Sequence, residues 1–308
     1  MAFLRFLEGL RTPLLTRFFS AVTYAGDEIC FMTLALLLFW CVSKRYAYYL
    51  FTVGFLGTAA NQSLKLLFRI PRPWIVDPGF TIVEAARAGA GGYSFPSGHT
   101  QTVVGTLGVA WFACKKRWQR ILCAALMLLV PFSRMYLGVH TPLDVGVAFL
   151  TALALLALLY PCFRTEDGFR RWMPRIFLLL AAASAAYLFF VLCYAFPADI
   201  DADHLFEGTK NAYTILGCML GLTVSYLYDR KALHFQTEAP FGGQALKLVL
   251  GLALLMAIRI GTKPVLNSLL NGHAAEGAIR YFLMVIFAGC VWPHTFPFFA
   301  KIGTKKRG

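Results

Sequence analysis

The sequence predicts an all-α fold, a polytopic transmembrane helical bundle, and three observations carry that expectation. Of the 308 residues 58% are hydrophobic and only 14% charged, with a mean hydropathy of +0.63, which is too apolar for a soluble domain. Apolar stretches, each sufficient for a bilayer core about 30 Å thick, recur along the whole chain. Basic residues gather in alternate connections, the pattern of loops held on the cytoplasmic side of a membrane.

Taken in order, residues 1–27 read as an N-terminal interfacial helix. Arg5, Glu8, Arg11 and Arg17 interrupt its apolar run, so it is neither a clean span nor a signal-peptide core. Pro13 suits the first turn of its second half, where Leu14, Leu15, Phe18 and Phe19 form an apolar side. About nine spans follow: Glu28 to Val42, Tyr46 to Phe68, Gly98 to Cys114, Ile121 to Leu137, Pro142 to Cys162, Arg175 to Phe196, Thr209 to Tyr228, Gly243 to Ile260 and Gly277 to Phe298. A crossing N-terminal segment would make ten and leave every later site on its side. The segment from Phe163 to Pro174 divides a catalytic membrane core, 28–163, from an accessory transmembrane bundle, 164–308.

The net charge of +14 is spent on topology. Lys44-Arg45, Lys115-Lys116-Arg117, the group Arg164, Arg170, Arg171 and Arg175, then Arg230-Lys231 and the tail Lys301 with Lys305-Lys306-Arg307 fall on one side, read as cytoplasmic. The acidic connection from Asp199 to Glu207 faces the other way. No basic patch interleaved with aromatics suggests a nucleic-acid partner. The eight cysteines lie in or beside apolar stretches without metal-ligand spacing, so they read as packing residues. His204, His273, His234 and His294 read as surface or interfacial.

Three polar clusters sit where apolar stretches stop. In the first, Lys65 lies near the end of one stretch, and Pro71 and Pro73 halt the helix so that Arg72 is held in an extended segment. In the second, Phe95-Pro96-Ser97-Gly98-His99 enters the next stretch, with Ser97 as N-cap and Gly98 open to a ligand. The orphan N–H groups of that helix start favour an anion. The third runs from Ser133-Arg134 to His140, Thr141, Pro142 and Asp144; Thr141 reads as a cap and Asp144 as the third helical position reaching back to it. A carboxylate four residues after His140 also orients its imidazole and leaves the far nitrogen nucleophilic. Each cluster alone has a structural reading: Lys65 snorkels, Ser97 caps, Asp144 completes a capping box. Together they share one side of the membrane and supply a nucleophile, an acid and a three-cation clamp for a phosphoryl group.

The spacing Lys65, six residues, Arg72-Pro73, then Pro96-Ser97-Gly98-His99, then Ser133-Arg134, five residues, His140, three residues, Asp144 resembles the signature of the type 2 phosphatidic acid phosphatase superfamily. The resemblance covers roughly Lys65 to Asp144. It implies a metal-independent lipid phosphatase with no cofactor, in which His140 is the nucleophile, Asp144 its orienting partner and His99 the acid. By the same resemblance Lys65, Arg72, Ser97, Gly98 and Arg134 bind phosphate. The chain is longer than the usual core of about six helices, and in that it resembles sphingosine-1-phosphate phosphatases and glucose-6-phosphatase. The expected reaction is hydrolysis of a lipid phosphate monoester or diphosphate through a phosphohistidine. A lipid phosphotransferase using the same site is the alternative, followed by an anion or lipid transporter. The expected partners are the bilayer and a lipid phosphate, oligomeric state being left open. The expected location is the inner membrane of a bacterium, with the site on the non-cytoplasmic face.

Overall fold

The computed structural model describes residues 1–302, and among these residues there is helix and loop but no strand. The basic tail Lys305-Lys306-Arg307 lies outside the described residues. The helices are α1 (Ala2–Gly9), α2 (Pro13–Thr23), α3 (Glu28–Leu37, continued by a π turn over Leu38–Val42), α4 (Lys44–Phe68), the single turn α5 (Pro73–Val76), α6 (Gly98–Ala113), α7 (Arg117–Tyr136), α8 (Pro142–Phe163), α9 (Glu166–Cys193), α10 (Ala202–Tyr228), α11 (Phe241–Leu269), α12 (Glu276–Ile286) and α13 (Phe296–Phe299). Each apolar stretch of the sequence falls on helix. By length and composition, four segments can cross a membrane: α8, α9, α11 and Glu276–Phe299. The pair Pro13–Gly26 and Glu28–Val42, bent by 50°, adds a fifth if it is one broken span. Two of the other long helices carry residues of the three clusters, Lys65 in α4 and Arg134 in α7, and α10 carries Asp203, Glu207 and Lys210 in its first turns.

The chain forms two compact units. The first contains Met1–Met32, Tyr49–Gly168 and Ala195–Gly208. Here α6 packs on α7 and α8. Glycines set the spacing: a side-chain carbon at Gly108 would collide with Leu156 of α8, and one at Gly105 would lie 3.1 Å from Val53 of α4. Tyr49 stacks on Phe163 with ring centroids 4.9 Å apart, and its hydroxyl donates to the Leu156 carbonyl. Because Leu156 is itself buried, Gly108→Ala is expected to destabilise the protein by about 1–3 kcal/mol through overpacking. A lowered thermal unfolding midpoint in detergent would show it.

The N-terminal helices join this unit through both apolar and charged contacts. Thr12 caps α2 by accepting from Leu15 N, Pro13 takes the first helical position, and Phe19 lies 4.5 Å from the ring of Tyr136. The charges that interrupt the apolar run bind the loop after α5. Arg5 pairs with Asp77 at 2.7 Å and donates to Gly79 O at 2.9 Å. Glu8 accepts from the backbone N–H of Thr81 at 2.9 Å and from its hydroxyl. Arg11 donates to Thr81 O at 2.7 Å and to Tyr136 O at 3.0 Å.

The second unit contains Thr33–Tyr48, Phe169–Tyr194 and the chain from Thr209 onward. Trp40 is buried and donates to Ala288 O at 2.9 Å, while Tyr48, Phe169, Phe177 and Tyr226 form a ring cluster. Gly217 lets α10 meet the backbone of α12 at Ala278. Charged side chains are buried in this unit as well. Lys247 donates to Thr237 O at 3.0 Å and lies over the Phe296 ring, and Arg280 pairs with Glu276 at 3.3 Å one helical turn away.

Candidate active site

All eight residues singled out by the sequence lie in the first unit. Lys65 projects from the last turns of α4. The helix then ends through Arg69, whose φ of +50° is left-handed and whose guanidinium donates to Leu66 O and Leu67 O, both at 3.1 Å. Arg72 follows with extended backbone (φ −68°, ψ 154°) just before Pro73 opens α5. Its guanidinium, 4% exposed, donates to Gly91 O at 2.6 Å, Gly92 O at 3.0 Å and Val139 O at 2.9 Å. Burial lowers its pKa to about 10, so it stays charged at neutral pH.

Ser97 caps α6, its hydroxyl accepting from Thr100 N at 3.4 Å and from the Thr100 hydroxyl at 3.0 Å. Apart from its chain neighbours and its own helix backbone, no atom of the described residues lies within 4 Å of where a Gly98 side chain would project, so the helix start is open there. The backbone N–H of Ser97 donates to Asp144 O at 3.0 Å, which ties the start of α6 to the start of α8.

At that second start Asp144 caps the helix as the sequence predicts and also lies beside His140. Its Oδ2 accepts from Thr141 N at 2.7 Å, while Thr141 Oγ1 accepts from Asp144 N at 3.3 Å, completing a capping box. The same oxygen accepts from Ser94 Oγ at 2.6 Å and lies 3.5 Å from His140 Nδ1. His140 and Asp144 are 2% and 1% exposed. The other imidazole nitrogen, Nε2, lies 3.0 Å from Arg72 Nη1. The same Nη1 lies 3.4 Å from Nδ1; a guanidinium can only donate, so its shorter contact favours the lone pair on Nε2 and the proton on Nδ1, facing Asp144. Burial, followed by the charges of Arg72, Arg134 and Lys65, holds the His140 pKa well below its ordinary value and keeps the ring neutral.

Arg134, in the last turn of α7, is fully buried; it donates to Thr23 Oγ1 at 2.8 Å and to Gly89 O at 3.2 Å. Its Nε has no hydrogen-bond partner among the described residues. Lys65 donates to Tyr93 O. The three cations therefore converge on one loop, since residues 89, 91, 92 and 93 supply the carbonyls that accept from them. His99 borders the same loop, its ring within 3.6 Å of a side-chain carbon built at Gly89, and its Nε2 lies 2.7 Å from Asp27 Oδ1. Such a group of donors around a neutral, oriented imidazole can hold a phosphoryl group and attack it.

Asp27, Thr23, Ser94 and the carbonyl-bearing loop were missed by sequence reasoning. Asp27 had read as the boundary before an apolar stretch, and nothing in local spacing points it toward His99. His204, read as a loop residue, has its ring 4.5 Å from that of Tyr93, and Tyr93 Oη accepts from Asp201 N at 3.3 Å. Trp74 lies under Arg72 and Arg87, with ring centroids 5.9 and 5.1 Å from the two guanidinium carbons.

Comparison with known proteins gives the same region a family. The PAP2 superfamily matches residues 45–167, and a second family, the transmembrane extension of PAP2 superfamily phosphatases, matches residues 213–306. Sphingosine-1-phosphate phosphatase 2 of Mus musculus is 24% identical over 69% of this chain and 57% of its own length. Sphingosine-1-phosphate phosphatase 1 of the same species is 26% identical over 78% of this chain and 58% of its own. Undecaprenyl-diphosphatase BcrC of Bacillus subtilis is 27% identical over 44% of this chain and 65% of its own. The chain thus spans little more than half the length of the two mouse relatives. No solved structure matches. With its apolar helices and the matched transmembrane extension, the molecule is an integral membrane protein.

Proposed function

We propose, from its matches to the PAP2 superfamily and to that superfamily's transmembrane extension, that the chain is a lipid phosphatase working without a metal ion through a phosphohistidine. The observation that carries the reading is the polarity of His140, with Nδ1 toward Asp144 and the Nε2 lone pair among the cations. Nε2 attacks phosphorus and forms the N–P bond as the ester P–O bond breaks. Lys65, Arg72, Arg134, the Ser97 hydroxyl and the N–H of Gly98 stabilise charge on the phosphoryl oxygens. His99 protonates the departing alkoxide, then takes a proton from water as water displaces His140, releasing inorganic phosphate.

The substrate class follows from the setting: the clamp lies at the ends of apolar helices, so a lipid can present its phosphate there while its chains stay in hydrocarbon. Withdrawing those chains would cost about 0.8 kcal/mol per methylene. Relatives named as phosphatases of sphingosine-1-phosphate and of undecaprenyl diphosphate support a lipid phosphate monoester or diphosphate. In this reading nine apolar helices cross the bilayer, 1–27 lies at its interface, 28–163 performs the chemistry and 164–308 is accessory. The basic connections support a site on the non-cytoplasmic face.

Purified protein assayed in excess chelator against lysophosphatidate, a sphingoid-base phosphate and a polyprenyl diphosphate is expected to release phosphate in step with substrate loss. Activity that vanishes with EDTA and returns with magnesium would overturn the mechanism. Labelled phosphate appearing on a second lipid would identify a transferase instead.

A further inference from the structure

We infer that Asp27 is a positioning residue for His99, giving the site a second carboxylate–imidazole pair beside Asp144 and His140. The inference rests on the reading of His99 as the acid. Asp27 Oδ1 lies 2.7 Å from His99 Nε2, and the corner that carries it is built to reach that ring. Asp27 N donates to Tyr24 O at 3.1 Å, Phe31 N donates to Asp27 O at 3.1 Å, and the chain turns by 50° between Pro13–Gly26 and Glu28–Val42. Gly26 makes the approach possible, because a side-chain carbon there would lie 3.2 Å from both Cβ and the carbonyl oxygen of His99. Although Asp27 immediately precedes α3, its carboxylate is turned to the imidazole.

The chemistry explains why a carboxylate belongs here. To act as an acid, His99 must carry a second proton while Arg134 of α7, Arg72 of the loop after α4 and Lys65 of α4 lie around it and oppose that proton. A carboxylate accepting from Nε2–H favours the imidazolium and fixes the ring, leaving Nδ1–H to be given to the leaving oxygen. After that transfer the neutral ring keeps its Nε2–H on Asp27, and Nδ1 can take the proton of the attacking water. Asp27 touches neither substrate nor the reacting atoms.

The test uses leaving groups of different basicity. An alkyl phosphate needs its departing oxygen protonated, whereas p-nitrophenyl phosphate leaves as a stable phenolate and does not. The readout is kcat/KM, which covers the steps through departure of the leaving group. With the full-length protein, Asp27→Asn is expected to lower kcat/KM for the lipid phosphate roughly 100-fold, within the range for loss of general acid catalysis, and to change it less than about threefold for the aryl phosphate. His99→Ala should show the same asymmetry. An equal loss on both substrates in Asp27→Asn, with His99→Ala still asymmetric, overturns the positioning role while leaving the acid in place. Equal losses in His99→Ala overturn the acid assignment, and the positioning role falls with it.

Discussion

His140→Ala is expected to remove essentially all turnover, a loss of roughly 10⁴-fold or more as for other covalent nucleophiles, while the protein still folds. The loss follows from the tautomer. Arg72 can only donate, and its Nη1 lies nearer Nε2 than Nδ1, so Nε2 presents its lone pair to the clamp. Folding is expected to survive because the partners of His140 keep other bonds. Arg72 retains Gly91, Gly92 and Val139, and Asp144 retains Ser94 and Thr141, so no buried charge is stranded. Phosphate release should fall to background, and labelled phosphate should no longer be trapped on the protein after acid-free quenching. Gel filtration and helical content in detergent should stay unchanged. More than about a hundredth of normal turnover would remove His140 from the nucleophile's role.

The parts legible from sequence are those written in local chemistry. The starts of α6 and α8 could be read because a Ser or Thr cap at each, with Pro142 following the second, acts within one turn. Arg72 could be read as extended because prolines flank it. Contacts made across the fold left no such trace. Thr23 and Asp27 belong to the N-terminal corner, and only folding brings them to Arg134 and His99. Arg5, Glu8 and Arg11 disturbed the hydropathy pattern, but their partners, Asp77, Gly79, Thr81 and Tyr136, are remote in sequence. Composition is equally blind to pairing in the second unit, where Lys247 and the Arg280–Glu276 pair are buried because each finds a partner locally. The loop at residues 89–93 is mostly glycine and alanine. Its function in the structure comes from backbone carbonyls, which carry no signature in side-chain identity.

Arg134→Lys keeps the charge and is nevertheless expected to lower kcat/KM by roughly 100-fold or more, the cost of one donor lost from a preorganised oxyanion site. The guanidinium uses Nη1 on Thr23 and Nη2 on Gly89, and its buried Nε has no partner among the described residues. A planar fork can hold those two anchors and still direct a further N–H at a phosphoryl oxygen. A lysine ammonium reaches differently and has tetrahedral donors, so satisfying Thr23 and Gly89 turns it away from the ligand. Inhibition by vanadate, a phosphoryl mimic, should weaken in parallel with kcat/KM. A structural role makes a different forecast: if Arg134 only tied Thr23 to Gly89, the lysine variant would lose thermal stability while its kcat/KM and vanadate affinity stayed near normal. That outcome would take Arg134 out of the clamp and leave Lys65 and Arg72 to hold the phosphoryl group with the start of α6.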